Sequence, residues 1–200
     1  MKTESPKTTR WSHERILIGA IVLSAAPFLL VELFPARLQI VMDPASYAVF
    51  HNLAELFSIM VSLSIFGVGW FTYDQTRDHR TLFMSAAFLA IALLDIMHTL
   101  SIAPMPAFFT ENSSNKASQF WVAARFVAAV AFLGSAFVSP ESGGRWLTKS
   151  VLSTAIACIV AITFTGIIFF PSYVPATFAA GVGVTTFKKF AEYAIVLVFL

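Results

Sequence analysis

Four ionisable residues stand inside apolar stretches at helical spacing: His51 with Glu55, and Asp95 with His98. Residues four apart on a helix differ by about 40° and those three apart by about 60°, so each pair lines one face. Neutral imidazole and carboxylate oxygen suit zinc or iron, and His51, Glu55, Asp95 and His98 together offer four ligands to a metal ion. Two histidines on different helices at one depth also fit the axial positions of a haem, although the flanking carboxylates suit haem less well. Ser58 and Ser62 extend the face of His51 and Glu55. Arg125, one turn after Trp121, is permanently charged and must be paired. Its plainer role is to neutralise Asp95, Glu55 or Glu192; its sharper role is to grip an anionic ligand with the guanidinium fork. Lys188 and Glu192, four apart, pair naturally on their own helix, while Lys189 can extend to the membrane interface. The purely structural alternative is an interhelical network of hydrogen bonds and ion pairs that only holds a bundle together.

The elements that carry these residues are membrane-spanning helices. Of 200 residues, 58% are hydrophobic and 12% charged, about half the charge of an ordinary soluble domain, and the mean hydropathy is +0.78. The expected fold class is all-α, a polytopic transmembrane helix bundle. Apolar runs of the ~20 residues a bilayer crossing needs read as Ile16 to Phe34, Ala45 to Phe71, Leu82 to Ile102, Gln119 to Val138 and Leu147 to Phe170, with a sixth from near Thr186. The first follows Lys2, Lys7, Arg10 and Arg15 but continues too far for a cleaved signal peptide. The sixth is still apolar at Leu200, so an incomplete last helix and a domain beyond it are expected. Residues 1–15 are expected as a cytoplasmic tail. Pro27 is expected to kink the first helix, and Cys158, the single cysteine, to be a small packed side chain that excludes an internal disulfide. Trp121, Trp70 and Tyr73 read as interface anchors. The 21 phenylalanines read as packing and lipid-facing surface, and His13 and His79 as bystanders in cytoplasmic segments.

Loop charge sets the orientation, with positive residues inside. Lys2, Lys7, Arg10 and Arg15 precede the first span, Arg77 and Arg80 follow the second, and Arg145 and Lys149 follow the fourth; the opposite loops hold only Arg37 and Lys116. The N-terminus is therefore expected inside. At 1.5 Å per residue, His51 and Glu55 then lie ~9 and ~15 Å in from the outer surface, Asp95 and His98 ~10 and ~6 Å, and Arg125 ~10 Å. Lys188, Glu192 and Tyr193 enter the same layer on the last helix. Four helices thus put their polar residues in one outer-leaflet slab, as one outward-facing pocket requires, while the inner half is nearly free of charge.

The segments HNLAELFSIMVS (His51 to Ser62), LLDIMHTLS (Leu93 to Ser101), FWVAARF (Phe120 to Phe126) and TTFKKFAEY (Thr185 to Tyr193) resemble the bacterial membrane-associated sensor domain of the third MASE class, in the family's order. The stretch SIAPMPAFF after His98 departs from the pattern, in which an aromatic, a Lys and a Gly precede the Met. The resemblance implies a sensory input module, commonly followed by a histidine kinase, diguanylate cyclase or phosphodiesterase, in the bacterial inner membrane. Carried over by position, its polar motif residues are His51, Glu55, Asp95, His98, Trp121, Arg125, Lys188 and Glu192. The expected partners are membrane lipid, a cytoplasmic output domain in cis and a second copy in a homodimer. No feature suggests nucleic acid.

A sensor that binds its signal in the outer pocket and shifts helix packing is therefore the expected function, with no enzymatic role for the chain itself. Its first rival is an intramembrane metal-dependent hydrolase using His51, Asp95 and His98. That enzyme needs three protein ligands, an open position and a base, yet only two intramembrane histidines exist and no nucleophile motif is recognisable. A transporter is the other rival, but neither inverted repeats nor broken helices at the midplane are evident. The cofactor expectation stays open between a metal ion, haem and none.

Overall fold

The computed structural model describes residues 10–34, 43–103, 105–141 and 147–199. The first nine residues of the expected tail, with Lys2 and Lys7, and the loop residues Arg37 and Arg145 lie outside the described residues. The chain divides into two units, Met1–Pro44 and Ala45–Leu200. The first holds helix α1 (Arg10–Leu33), with Pro27 inside it.

The second unit is built on helices α2 (Pro44–Thr76), α3 (His79–Leu100), α4 (Ser114–Ser135), α5 (Lys149–Phe169) and α6 (Thr186–Phe199). A 3-10 turn (Pro171–Tyr173) and a hairpin of two-residue antiparallel strands, β1 (Phe178–Ala179) and β2 (Gly183–Val184), connect α5 to α6. Gly181 and Gly183 supply the positive φ of 77° and 83° that this hairpin requires. Among the described residues, α2 to α5 are long and apolar enough to cross a membrane. They correspond to the second to fifth of the six expected spans, while α6 has 14 residues, fewer than the ~20 of a full crossing.

Helix α3 is the centre of the bundle, packing along both α4 and α5, and α4 in turn carries α6. Leu82, Ala86 and Ala90 of α3 meet Tyr73 of α2 and Leu152 and Ile156 of α5; farther along, Leu94 meets Phe120, Ala124, Ile167 and Ile168. Alanines on the facing sides of α3 and α4 let the helices approach closely, which is how dispersion packing works where lipid removes the hydrophobic drive. Cys158 differs from its expected packed role. It lies exposed on the outward side of α5.

Among the described residues of this unit, helix α2 touches the other helices along a narrow seam. Its more enclosed residues recur at Ala48, Asn52, Glu55, Ile59, Ser62, Phe66, Gly69 and Tyr73, an alternation of four and three that suits a left-handed helix pair. Near one end of this seam a Cβ on Gly69 would lie 2.8 Å from Ser85 Cβ and 3.2 Å from Thr81 Cγ2. Glycine is therefore what allows α2 to rest on α3 there.

Polar caps fix both ends. Helix α4 begins five residues before the expected Gln119 because the Ser113 hydroxyl accepts from the Lys116 amide at 3.1 Å, satisfying an otherwise orphaned donor. Lys116 is more than a loop charge, since its buried ammonium donates to the Phe108 and Thr110 carbonyls and to Asn112 Oδ1 at 2.6, 3.0 and 3.1 Å. At the other end, Arg77 (φ 54°) makes the tight α2–α3 turn, Lys149 pairs with Asp74 at 2.8 Å, and Asp78 caps α3. Its carboxylate accepts from the amides of Arg80 and Thr81 and from the Thr81 hydroxyl. The bonds from Thr81 hold the Asp78 carboxyl below its ordinary range.

Two outcomes follow for denaturation in detergent. Gly69→Ala is expected to cost ~1–3 kcal/mol by overpacking, with recovery in Gly69→Ala/Ser85→Gly; no recovery would refute close approach at this point. Asp78→Ala is expected to cost ~1 kcal/mol, as lost caps do. Because folding lowers the Asp78 pKa, its contribution is full above the unfolded value of ~3.9 and fades as pH falls through the folded value. The difference between wild type and variant should therefore shrink in acid.

Candidate functional site

The intramembrane polar residues gather at the end of the bundle where α2, α4 and α6 begin and α3 finishes. Two linked groups form there. In the first, His51 and Glu55 of α2 meet His98 of α3. The His51 and His98 Nε2 atoms are 3.3 Å apart, and Glu55 Oε1 lies 3.9 Å from His51 Nε2 and 3.8 Å from His98 Nε2. Tyr47, one turn before His51, stacks on its ring at 5.6 Å between centroids.

The state of His98 follows from its other nitrogen. Nδ1 lies 2.7 Å from the Ala117 carbonyl oxygen, which can only accept, so Nδ1 carries the proton. In neutral His98 the Nε2 lone pair then faces His51 and Glu55. A backbone carbonyl that fixes an imidazole in this way is the usual support of a metal-binding histidine. His51, Glu55 and His98 form the group among the described residues that could hold an ion, each offering one ligand atom. The haem alternative fits less well. Axial nitrogens on opposite faces of a porphyrin are separated by two metal–nitrogen bonds of ~2 Å each, whereas these two are closer and share Glu55 as a neighbour.

Asp95 belongs to the second group. Its carboxylate is fully buried, and both oxygens accept from Arg125 NH2, at 2.7 and 2.6 Å. The single nitrogen serves both oxygens, so the fork is not used in full, and Nε of Arg125 is buried without a protein partner among the described residues. The guanidinium also lies 5.8 Å from the Trp121 ring centre, and the Lys188 ammonium lies 5.1 Å from the same ring. Lys188 pairs with Glu192 on α6 at 3.5 Å. One aromatic ring thus takes two cations from different helices, a favourable use of its π face when desolvated, and the chain of contacts runs from α3 through α4 to α6.

All eight residues singled out from the sequence are in these two groups, although Asp95, counted there among four metal ligands, is engaged by Arg125 instead. Ser62 is buried on the seam below Glu55. Ser58, Ser62 and Arg125 also line a cavity of about 430 Å³ whose other walls include Phe57, Phe88 and Phe132. The supports are harder to read. Tyr47 could have been found from its spacing of four to His51, but the Ala117 carbonyl carries no side-chain signal at all.

The Asp95–Arg125 pair sets a stability expectation. Arg125→Ala, which strands a buried carboxylate, should cost ~3–5 kcal/mol. The neutral pair Asp95→Asn/Arg125→Gln should recover a large part in detergent unfolding. Equal losses in the single and double variants would refute the pairing.

Residues 42–200 match the model of the MASE3 family, described as a membrane-associated sensor domain. The match spans most of the chain, which therefore belongs to that family. No curated protein and no solved structure matches it.

Proposed function

From membership of the membrane-associated sensor family, we propose that this multi-pass chain is the sensory input module of a bacterial signalling protein in the inner membrane. Its output is a cis domain of the histidine kinase, diguanylate cyclase or phosphodiesterase type. The observation that carries this reading is the junction at Trp121, where Arg125, bound to buried Asp95, and Lys188 of α6 meet on one ring. A site at one end of the bundle is thereby tied to the last helix.

The positive residues Arg77, Arg80 and Lys149 gather at the other end, which by the loop-charge rule is cytoplasmic. The polar site then opens toward the outer leaflet, where a periplasmic or membrane-dissolved signal can enter. A signal that binds one helix arrangement better than another shifts the balance by that difference alone, and ~1–3 kcal/mol would be ordinary. Any ligand that draws on Arg125, or on the His51, Glu55 and His98 group beside it, changes the forces on Trp121 and so on Lys188. Lipid covers the outward apolar faces, and a second copy completes a homodimer.

In the intact signalling protein, His98→Ala or Asp95→Ala should abolish the response to signal while membrane insertion is retained. Trp121→Ala should leave signal binding within about threefold and still lose the response, because it cuts the route to α6. A normal response in all three variants would refute the proposal.

A further inference from the structure

We propose that His51, Glu55 and His98 bind one first-row transition-metal dication, with a coordination position left open for the signal; this rests on the sensor reading of the same site. The three ligand atoms form a triangle with sides of 3.3, 3.8 and 3.9 Å. The point equidistant from its corners, the circumcentre, lies ~2.1 Å from each atom, within the ~2.0–2.2 Å of zinc bonds to imidazole nitrogen and carboxylate oxygen. A four-coordinate ion sits out of that plane, with ligand atoms ~3.4 Å apart at such bond lengths, so it can enter once Glu55 closes on the two imidazoles by about half an ångström.

Three further features favour a cation over a hydrogen-bonded cluster. Glu55 is partly enclosed within an apolar helix, and its nearest approaches to the two imidazoles, 3.8 and 3.9 Å, are too long for hydrogen bonds. His98 has its Nδ1 proton engaged by the Ala117 carbonyl, so the ring is held as metal-ligating histidines are, and its Nε2 lone pair, which accepts from His51 Nε2–H at 3.3 Å, turns to a metal once His51 gives up that proton to the other ring nitrogen. Finally, the neighbouring positive charge is already committed. Arg125 is on Asp95, so the group's own carboxylate remains to offset a metal charge.

The donor set narrows the ion. Two imidazole nitrogens and one carboxylate oxygen suit zinc, iron, nickel or copper, whereas magnesium and calcium take oxygen cages and soft ions favour thiolates. Three protein ligands, rather than four, are the pattern of sites that keep an exchangeable position. Asp95 cannot complete the set without abandoning Arg125. The fourth place is therefore open to water or to a small donor molecule arriving as the signal.

The test is Co²⁺ titration of the purified full chain, followed by visible absorption, with elemental analysis for stoichiometry. The expected result is one Co²⁺ per chain with ligand-field bands of a four-coordinate ion, displaced by Zn²⁺ and indifferent to excess Mg²⁺. His51→Ala and His98→Ala should lose the bands, Glu55→Gln should weaken binding at least about tenfold, and His79→Ala should retain it. Absence of stoichiometric Co²⁺ in the wild type, which depends on no variant folding, would overturn the assignment, as would undiminished binding in His98→Ala. Response assays separate the two readings. A wild type without metal whose response still depends on His98 removes the metal and keeps the sensor; a metal bound by these three residues with a response indifferent to all of them removes the sensor and keeps the metal.

Discussion

Asp95 is fully buried in an apolar helix, and the surrounding structure follows from the need to neutralise that charge. An unpaired carboxylate in such a place costs several kcal/mol, so Arg125 must reach it, and that fixes how α4 lies against α3. The same register brings the Ala117 carbonyl, two turns before Arg125, to His98 Nδ1, one turn after Asp95. It also sets Phe120 and Ala124 against Leu94. One ion pair, one backbone hydrogen bond and one apolar contact thus agree on a single arrangement of two helices. Agreement of that kind keeps a polar site in one geometry, where an apolar interface alone could slide by a turn.

Much of this is legible in the sequence. The positions of charge within apolar runs point to the residues that the fold brings together, because a charge in hydrocarbon must face protein or water. Loop charges give His51, Glu55, Asp95, His98, Arg125, Lys188 and Glu192 one expected depth, which a site drawn from four helices requires. The partition among them was not legible. Asp95 and His98 share a helical face, but only the rotation of α4 about its axis decides that Arg125 takes the first and leaves the second to His51 and Glu55. The helix ends were misjudged where polar residues belong to the helix itself. Ser114 to Ser118 precede the apolar run that begins at Gln119, yet Ser113 caps them and Lys116 finds its acceptors in the chain just before. Backbone partners such as these leave no trace in side-chain composition.

The bundle is unevenly held, and on the proposed reading that unevenness bears on signalling. In the spanning windows, 56% of α3 is buried within the chain but only 17% of α2. Among the described residues of its unit, helix α2 is held by its narrow seam, by the close contact of Gly69 with Ser85, by Asp74 on Lys149 at one end, and by His51 and Glu55 at the site end. Elements with few enclosed contacts are the ones that move at low cost. The site therefore straddles a well-packed support, α3 with α4, and a helix that is far less enclosed.

A signal acting across such a seam needs little free energy to have an effect. Whatever occupies the space between His51, Glu55 and His98 bears directly on how α2 sits against α3, because those side chains are the polar contact between the two helices there. The Asp95–Arg125 pair stands next to it on the packed side and leads, through Trp121, to Lys188 on α6. The two groups have different physical duties. The histidine group can change its occupant at lower cost, since imidazoles can be neutral and the Glu55 side chain keeps some exposure, whereas Asp95 has none. The Asp95 pair cannot come apart so cheaply. On the proposed reading, a fixed pair that transmits and an adjustable group that binds is the division of labour that these burial differences favour.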